Sequence, residues 1–200
     1  MTSIVIAEDQ EMLRKAMVQL MEMNESLEIL SDVPNGEEAL KAIVDKQPDV
    51  AILDVEMPKM TGLEVLKEIK TLGLNTKVII VTTFRRPGYF ESAVANDVDA
   101  YVLKERSIDE LVITIENVMA GKKEYSESLM TSIFNQKNPL NPKEQLVLKE
   151  IGRGLSSKEI SKVLFLSDGT IRNYTSMIIE KLEADNRFDA WKKASEKGWI

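Results

Sequence analysis

Short apolar runs rich in β-branched residues punctuate the first hundred positions: Ser3–Ala7, Leu27–Val33, Val50–Val55, Lys77–Thr82 and Ala100–Leu103. Near-continuous hydrophobicity over so short a length marks a strand buried on both faces. Between the runs, apolar positions recur every three or four residues. Met12, Ala16, Leu20 and Met23 predict a first amphipathic helix, and Ala39, Leu40, Ile43 and Val44 a second. Leu63, Leu66 and Ile69 predict a third, closed by Gly73. Capping residues agree: Asn35 precedes Glu37 and Glu38, and Ser107 stands three before Glu110. Strands alternating with helices imply a parallel sheet covered on both faces, with right-handed crossovers and the flavodoxin-like order 2-1-3-4-5.

The pattern changes after Gly121. Residues 122–140 read as a linker, with a short amphipathic helix over Ser126–Phe134 and a polar stretch around Pro139. From Pro142 only helical periods follow. Leu146, Val147, Leu148 and Ile151 belong to a helix that starts after Asn141 and stops at Gly154. Ile160, Val163 and Leu164 belong to a short one capped by Ser156 or Ser157. Phe165-Leu166 form a turn, and Ser167 caps a long helix with Ile171, Tyr174, Ile178 and Leu182. A helix, a turn of about four residues and a second helix make a helix-turn-helix candidate. The expected architecture is therefore an α/β, flavodoxin-like (βα)5 domain with a parallel sheet over residues 1–121, joined to a small all-α domain over 141–200.

Polar residues at the ends of the apolar runs carry the chemistry. Glu8-Asp9 follow the first run, Asp54 the third, Thr82 the fourth and Lys104 the fifth. In an open parallel sheet the C-terminal strand ends form the ligand edge. Three carboxylates, a hydroxyl and a lysine converging there suit an aspartate that accepts phosphate beside Mg2+. That ion needs only one or two carboxylates, because it keeps several waters. Asp9 and Asp54 can supply them, Glu8 through water, with the Glu56 carbonyl as a further ligand. Lys104 offers a point charge to the phosphoryl oxygens and Thr82 a hydroxyl donor.

Composition narrows the choice. The chain has no Cys and no His, which removes disulfides, thiolate chemistry, histidine acid–base catalysis and a histidine-kinase or phosphocarrier role. No apolar stretch approaches the ~20 residues of a membrane span. The N-terminus runs straight into a strand without a signal-peptide pattern, so a cytoplasmic location is expected. Net charge is −9 over residues 1–125 and +2 over 126–200. Two domains with different partners are implied.

The motifs I-A-E-D-Q, D-V-E-M-P-K-M-T-G, V-T-T-F and A-Y-V-L-K, spread over Ser3–Gly121, resemble the receiver domain of two-component response regulators. The resemblance implies that Asp54 is the phosphoacceptor, that Glu8 and Asp9 hold Mg2+, and that Thr82 and Lys104 coordinate the phosphate. Tyr101 matches the aromatic that moves inward with the threonine. Glu105 replaces the proline of many receivers, and Asn96-Asp97 stand where a Gly-containing turn is frequent. The run from L-N-P-K-E-Q through R-N-Y-T-S-M-I-I-E-K-L resembles the LuxR/NarL-type DNA-binding domain over Leu140–Gly198. It implies base contacts from Arg172, Asn173 and Ser176 and phosphate contacts from Thr170, Tyr174 and Lys181. It also implies an internal Glu144–Arg187 pair and a dimer face on the last helix, which carries Trp191. The T-T-F-R-R-P-G-Y-F run resembles a Gram-positive subgroup of membrane-fluidity and envelope-stress regulators.

The resulting expectation is a phosphorylation-controlled transcriptional regulator and not an enzyme. Its expected partners are a sensor histidine kinase, double-stranded DNA, a second copy on activation and RNA polymerase. Two rivals have the same residues to explain. An aspartyl phosphohydrolase wants a second Asp where Glu56 stands, with the motif near the N-terminus. An atypical regulator working without phosphate would not need the complete acidic site.

Overall fold

In a computed structural model of the protein, residues 1–83, 86–126 and 138–200 are described. The chain divides into two compact units, one built mainly from its first 131 residues and one mainly from its last 69. The first is a parallel sheet in the order β2-β1-β3-β4-β5-β6. Its strands are β1 (Thr2–Ala7), β2 (Leu27–Val33), β3 (Val50–Asp54), β4 (Lys77–Thr82), β5 (Ala100–Leu103) and β6 (Glu124–Tyr125). The connecting helices are α1 (Glu11–Glu22), α2 (Gly36–Lys46), α3 (Gly62–Thr71), α4 (Pro87–Ala95) and α5 (Ile108–Met119). Every residue of β3 is buried, as expected of a central strand covered on both faces.

The predicted caps are present. The Asn35 side chain accepts from the Glu38 amide, and Ser107 and Glu110 form a reciprocal capping box. Asp97 takes the left-handed turn that glycine usually fills, at φ 56°, and its carboxylate pairs with Lys123 and Lys70. Those ammonium groups, Lys123 first, hold the Asp97 carboxyl below the usual range.

Two differences from the sequence reading stand out. The sheet gains β6, inside the stretch read as linker. It is held by Ser126 N–H donating to the Tyr101 carbonyl and by Glu124 accepting from Arg106 and Asn117. A two-residue strand leaves too short an alternation to be read from sequence. The second difference is the phase of α1. Met12 and Met23 are largely exposed and Leu20 is half exposed, whereas Arg14, Met17 and Met21 face the core. The stripe was misplaced because Arg14 is buried, and a charged residue is read as outward-facing by default. The helix expected over Ser126–Phe134 lies outside the described residues beyond Ser126.

The second unit comprises α6 (Pro142–Gly152), α7 (Ser157–Val163), α8 (Asp168–Lys181) and α9 (Arg187–Glu196). Asn141, Ser156 and Ser167 cap the first three, and Pro142 takes the first helical position of α6. Leu140, Val147, Leu148, Ile151, Ile160, Ile171 and Ile178 form the core with Ala190, Ala194 and Trp199. Trp191 lies flat on Gly152, where an added Cβ would sit 2.0 Å from the indole nitrogen.

Candidate functional site

Parallel register brings the polar strand ends together. Ala7 pairs with Leu53, so Glu8-Asp9 and Asp54 leave adjacent strands at one level. Thr82 pairs with Leu103 and accepts the Lys104 amide on its carbonyl at 2.9 Å. One carboxylate oxygen from each of Glu8, Asp9 and Asp54 lies within 4.8 Å of the others. Glu8 and Asp54 are buried and Asp9 is exposed. The Lys104 ammonium lies between the buried pair, 2.6 Å from Glu8 and 3.1 Å from Asp54. The second Asp54 oxygen accepts the Val55 amide at 2.7 Å.

Burial pushes the Asp54 carboxyl up to about 6; the Lys104 charge opposes this shift and the Glu8 charge adds to it. Three hard oxygen donors facing one lysine leave an excess of negative groups, and oxygen is the donor type that Mg2+ selects. The residues therefore fit a small divalent cation. Glu56 is half-buried in the loop after β3. That loop closes on the site because Gly62 opens α3 directly against Asp54. An added Cβ there would lie 2.1 Å from the Asp54 carbonyl oxygen, and Thr61 caps the helix with Glu64.

Thr82 and Tyr101 are both fully buried on neighbouring strands. Tyr101 packs edge-to-face on Phe90 of α4 at 5.2 Å, and Phe90 packs likewise on Tyr125 of β6 at 5.3 Å. Sequence reasoning found Tyr101 but not the other two rings, since nothing in their spacing relates them.

In the helical unit, α7 and α8 flank a turn at Leu164–Ser167, with Phe165 exposed at φ 54°. Arg172, Asn173 and Ser176 are exposed on α8. The Arg172 guanidinium pairs with Asp168 one turn earlier. Thr170 shares a 2.8 Å hydroxyl contact with Ser167, and Tyr174 packs against the core. Lys181 is engaged internally: its ammonium lies 2.8 Å from both oxygens of the fully buried Glu144. This corrects the expected Glu144–Arg187 pair. Arg187 instead donates to the Leu155 carbonyl at 3.4 Å and lies over the Phe188 ring. Lys181, at the end of α8, meets the first turn of α6 where Glu144 already bonds the Asn141 amide.

Residues 4–116 match the response regulator receiver domain, and residues 138–194 match the bacterial regulatory proteins of the luxR family. The protein is a LuxR-family response regulator. It is 44% identical over 200 residues, the whole of both chains, to the transcriptional regulatory protein DesR of Bacillus subtilis strain 168. It is 45% identical over the same span to YvfU, an uncharacterized transcriptional regulatory protein of that strain. A crystal structure of a LuxR-family DNA-binding response regulator from Staphylococcus aureus covers 60% of this chain and 99% of its own, at 66% identity and TM-score 0.58. A receiver joined to a LuxR-type domain makes this response regulator a two-component transcriptional regulator. Among the described residues, no helix is long and apolar enough to cross a membrane.

Proposed function

We propose that Asp54 accepts a phosphoryl group from a sensor histidine kinase and that the modified protein pairs with a second copy to bind promoter DNA. The carrying observation is the gathering of Glu8, Asp9, Asp54 and Lys104 at one strand edge, with more carboxylates than cations. An Asp54 oxygen forms the new bond to phosphorus, and the kinase imidazole leaves with the electrons of the broken P–N bond. Mg2+, held by Asp9, Asp54 and the Glu56 carbonyl with Glu8 beside them, would neutralise charge on the phosphoryl oxygens. Lys104 turns from Asp54 toward those oxygens, and the Thr82 hydroxyl donates to one of them. Tyr101, already inside the sheet edge, then fills the space behind Thr82.

Domain limits of 1–121 and 141–200 leave the activating step in one unit and the reading step in the other. Arg172 reads guanine bidentately, Asn173 reads adenine, and Ser176 meets a base edge beside them. Thr170 and Tyr174 meet phosphates, as does whichever Lys181 proton its carboxylate leaves free. The Staphylococcus aureus relative is described as DNA-binding, in keeping with this assignment. RNA polymerase is the further partner such a regulator acts on.

Genome-wide mapping of bound DNA with the natural chain and an Asp54→Ala variant tests the reading. The variant should lose most occupied promoters. Equal occupancy by both chains would instead support control without phosphate.

A further inference from the structure

Arg14 is 8% exposed, on the face of α1 that also buries Met17 and Met21. An apolar side chain would cover that face at lower cost, because an isolated guanidinium is expensive to take out of water. What it does there is specific. Its Nη1 donates to the Glu8 backbone carbonyl at 2.5 Å, and its Nε donates to Asp32 at 3.2 Å. Asp32 lies on β2 and is also bonded by Lys15 at 2.9 Å. The Lys15 bond, with help from Arg14, holds the Asp32 carboxyl below the usual range.

The carbonyl that Arg14 holds is not an ordinary one. Glu8 lies one residue past the last β1–β3 pair, and its own amide reaches the Val33 carbonyl at 3.1 Å. The Glu8 carbonyl and the Asp9 amide form one rigid peptide plane. Turning that plane swings Asp9 relative to Glu8 and Asp54. Arg14 fixes it from one side, and Asp32 on the neighbouring strand fixes Arg14. The planar fork makes the two bonds from two separate nitrogens in fixed directions, whereas an ammonium would have to reach both acceptors from one nitrogen.

We propose that Arg14 is a positioning residue for the acidic cluster, orienting the Glu8–Asp9 peptide so that the two side chains and Asp54 converge on one cation. This rests on the reading of Glu8, Asp9 and Asp54 as the cation's holders. Groups behind a metal's direct ligands set ligand orientation, and their loss weakens binding about 10–100-fold.

The test uses the full chain with Mn2+ as a paramagnetic probe, together with Mg2+-dependent labelling by a small phosphodonor. Arg14→Gln should weaken Mn2+ binding about tenfold or more. It should move the Mg2+ concentration needed for labelling upward, with the plateau rate recovered at saturating Mg2+. Arg14→Lys should recover part of the affinity. Asp32→Asn, which keeps Arg14 but removes its anchor, should weaken binding less and decides the matter if Arg14→Gln does not fold. A folded Arg14→Gln chain whose Mn2+ affinity stays within about twofold of the natural chain overturns the proposal. So does a lowered plateau with unchanged metal affinity, or unchanged affinity in Asp32→Asn when Arg14→Gln is unfolded. A natural chain that holds no Mn2+ overturns the cation-site reading and this inference with it, whereas normal binding in both chains overturns only the role of Arg14.

Discussion

Each unit sets a lysine against a buried carboxylate, and the two clusters differ in their balance of charge. In the receiver, Lys104 meets Glu8 at 2.6 Å and Asp54 at 3.1 Å, with Asp9 beside them. In the helical unit, Lys181 meets both oxygens of Glu144 at 2.8 Å. One cation for one buried carboxylate is a closed clamp that ties α8 to the start of α6. One cation for three carboxylates leaves a site that gains from a further positive charge. The same residue types therefore close on each other in one unit and leave room for a further cation in the other, and stoichiometry separates the two.

The largest expected effect comes from opening the clamp. Lys181→Met leaves Glu144 charged, buried and short of a partner, which should cost about 3 kcal/mol of helical-unit stability. Adding Glu144→Gln should return most of it. Trp191 and Trp199 are the chain's two tryptophans and both lie in that unit, so their fluorescence in denaturant reports it selectively. A midpoint unmoved by Lys181→Met would erase the distinction between clamp and site. Where the midpoint does fall, phosphate contact by Lys181 is judged from DNA affinity only after correcting for lost fold.

The next effect sharpens the other side. Asp54 titrates near 6 in the folded chain, above its ordinary 3.8, because burial disfavours its charge. A raised acid pKa means that the folded state holds the proton more tightly than the unfolded one. The group therefore favours the fold below about pH 4, and this benefit is lost as pH rises through about 6. In Mg2+-free buffer, Asp54→Asn should stabilise the receiver relative to the natural chain at pH 7.5 by up to about 3 kcal/mol. The gap should shrink toward pH 4.5. Thermal unfolding followed by circular dichroism across that range reads it, and a constant gap would remove titration of Asp54 as the cause.

A smaller effect is expected where side chains lie open. Arg172→Ala should cost about 1–3 kcal/mol on selected duplexes and relax preference at one base position. Selection from randomised duplexes with both chains shows this. Equal loss on selected and scrambled DNA would reassign Arg172 to the phosphate backbone.

Legibility followed the same division. Strand ends were readable because parallel register makes sequence position and spatial level nearly equivalent, as for Asp54 and Glu8. Caps such as Asn35, Ser107 and Asn141 were readable because their partners lie three residues away. Arg14 and the Glu144–Lys181 pair were not, since each depends on which face of a helix packs inward and on elements distant in sequence. The pairs Arg14–Asp32 and Glu144–Lys181 lie 18 and 37 positions apart. Strand β6 was missed for a different reason, being too short to show a period.

Incubation of the natural chain and Asp54→Ala with Mg2+ and a small phosphodonor, followed by intact mass and peptide mapping, tests the central claim most directly. One phosphoryl group on the natural chain, mapped to Asp54, dependent on Mg2+ and missing from the variant, is the predicted result. Undiminished labelling of Asp54→Ala at another acidic residue, or a natural chain that takes no label while folded and supplied with Mg2+, would contradict it.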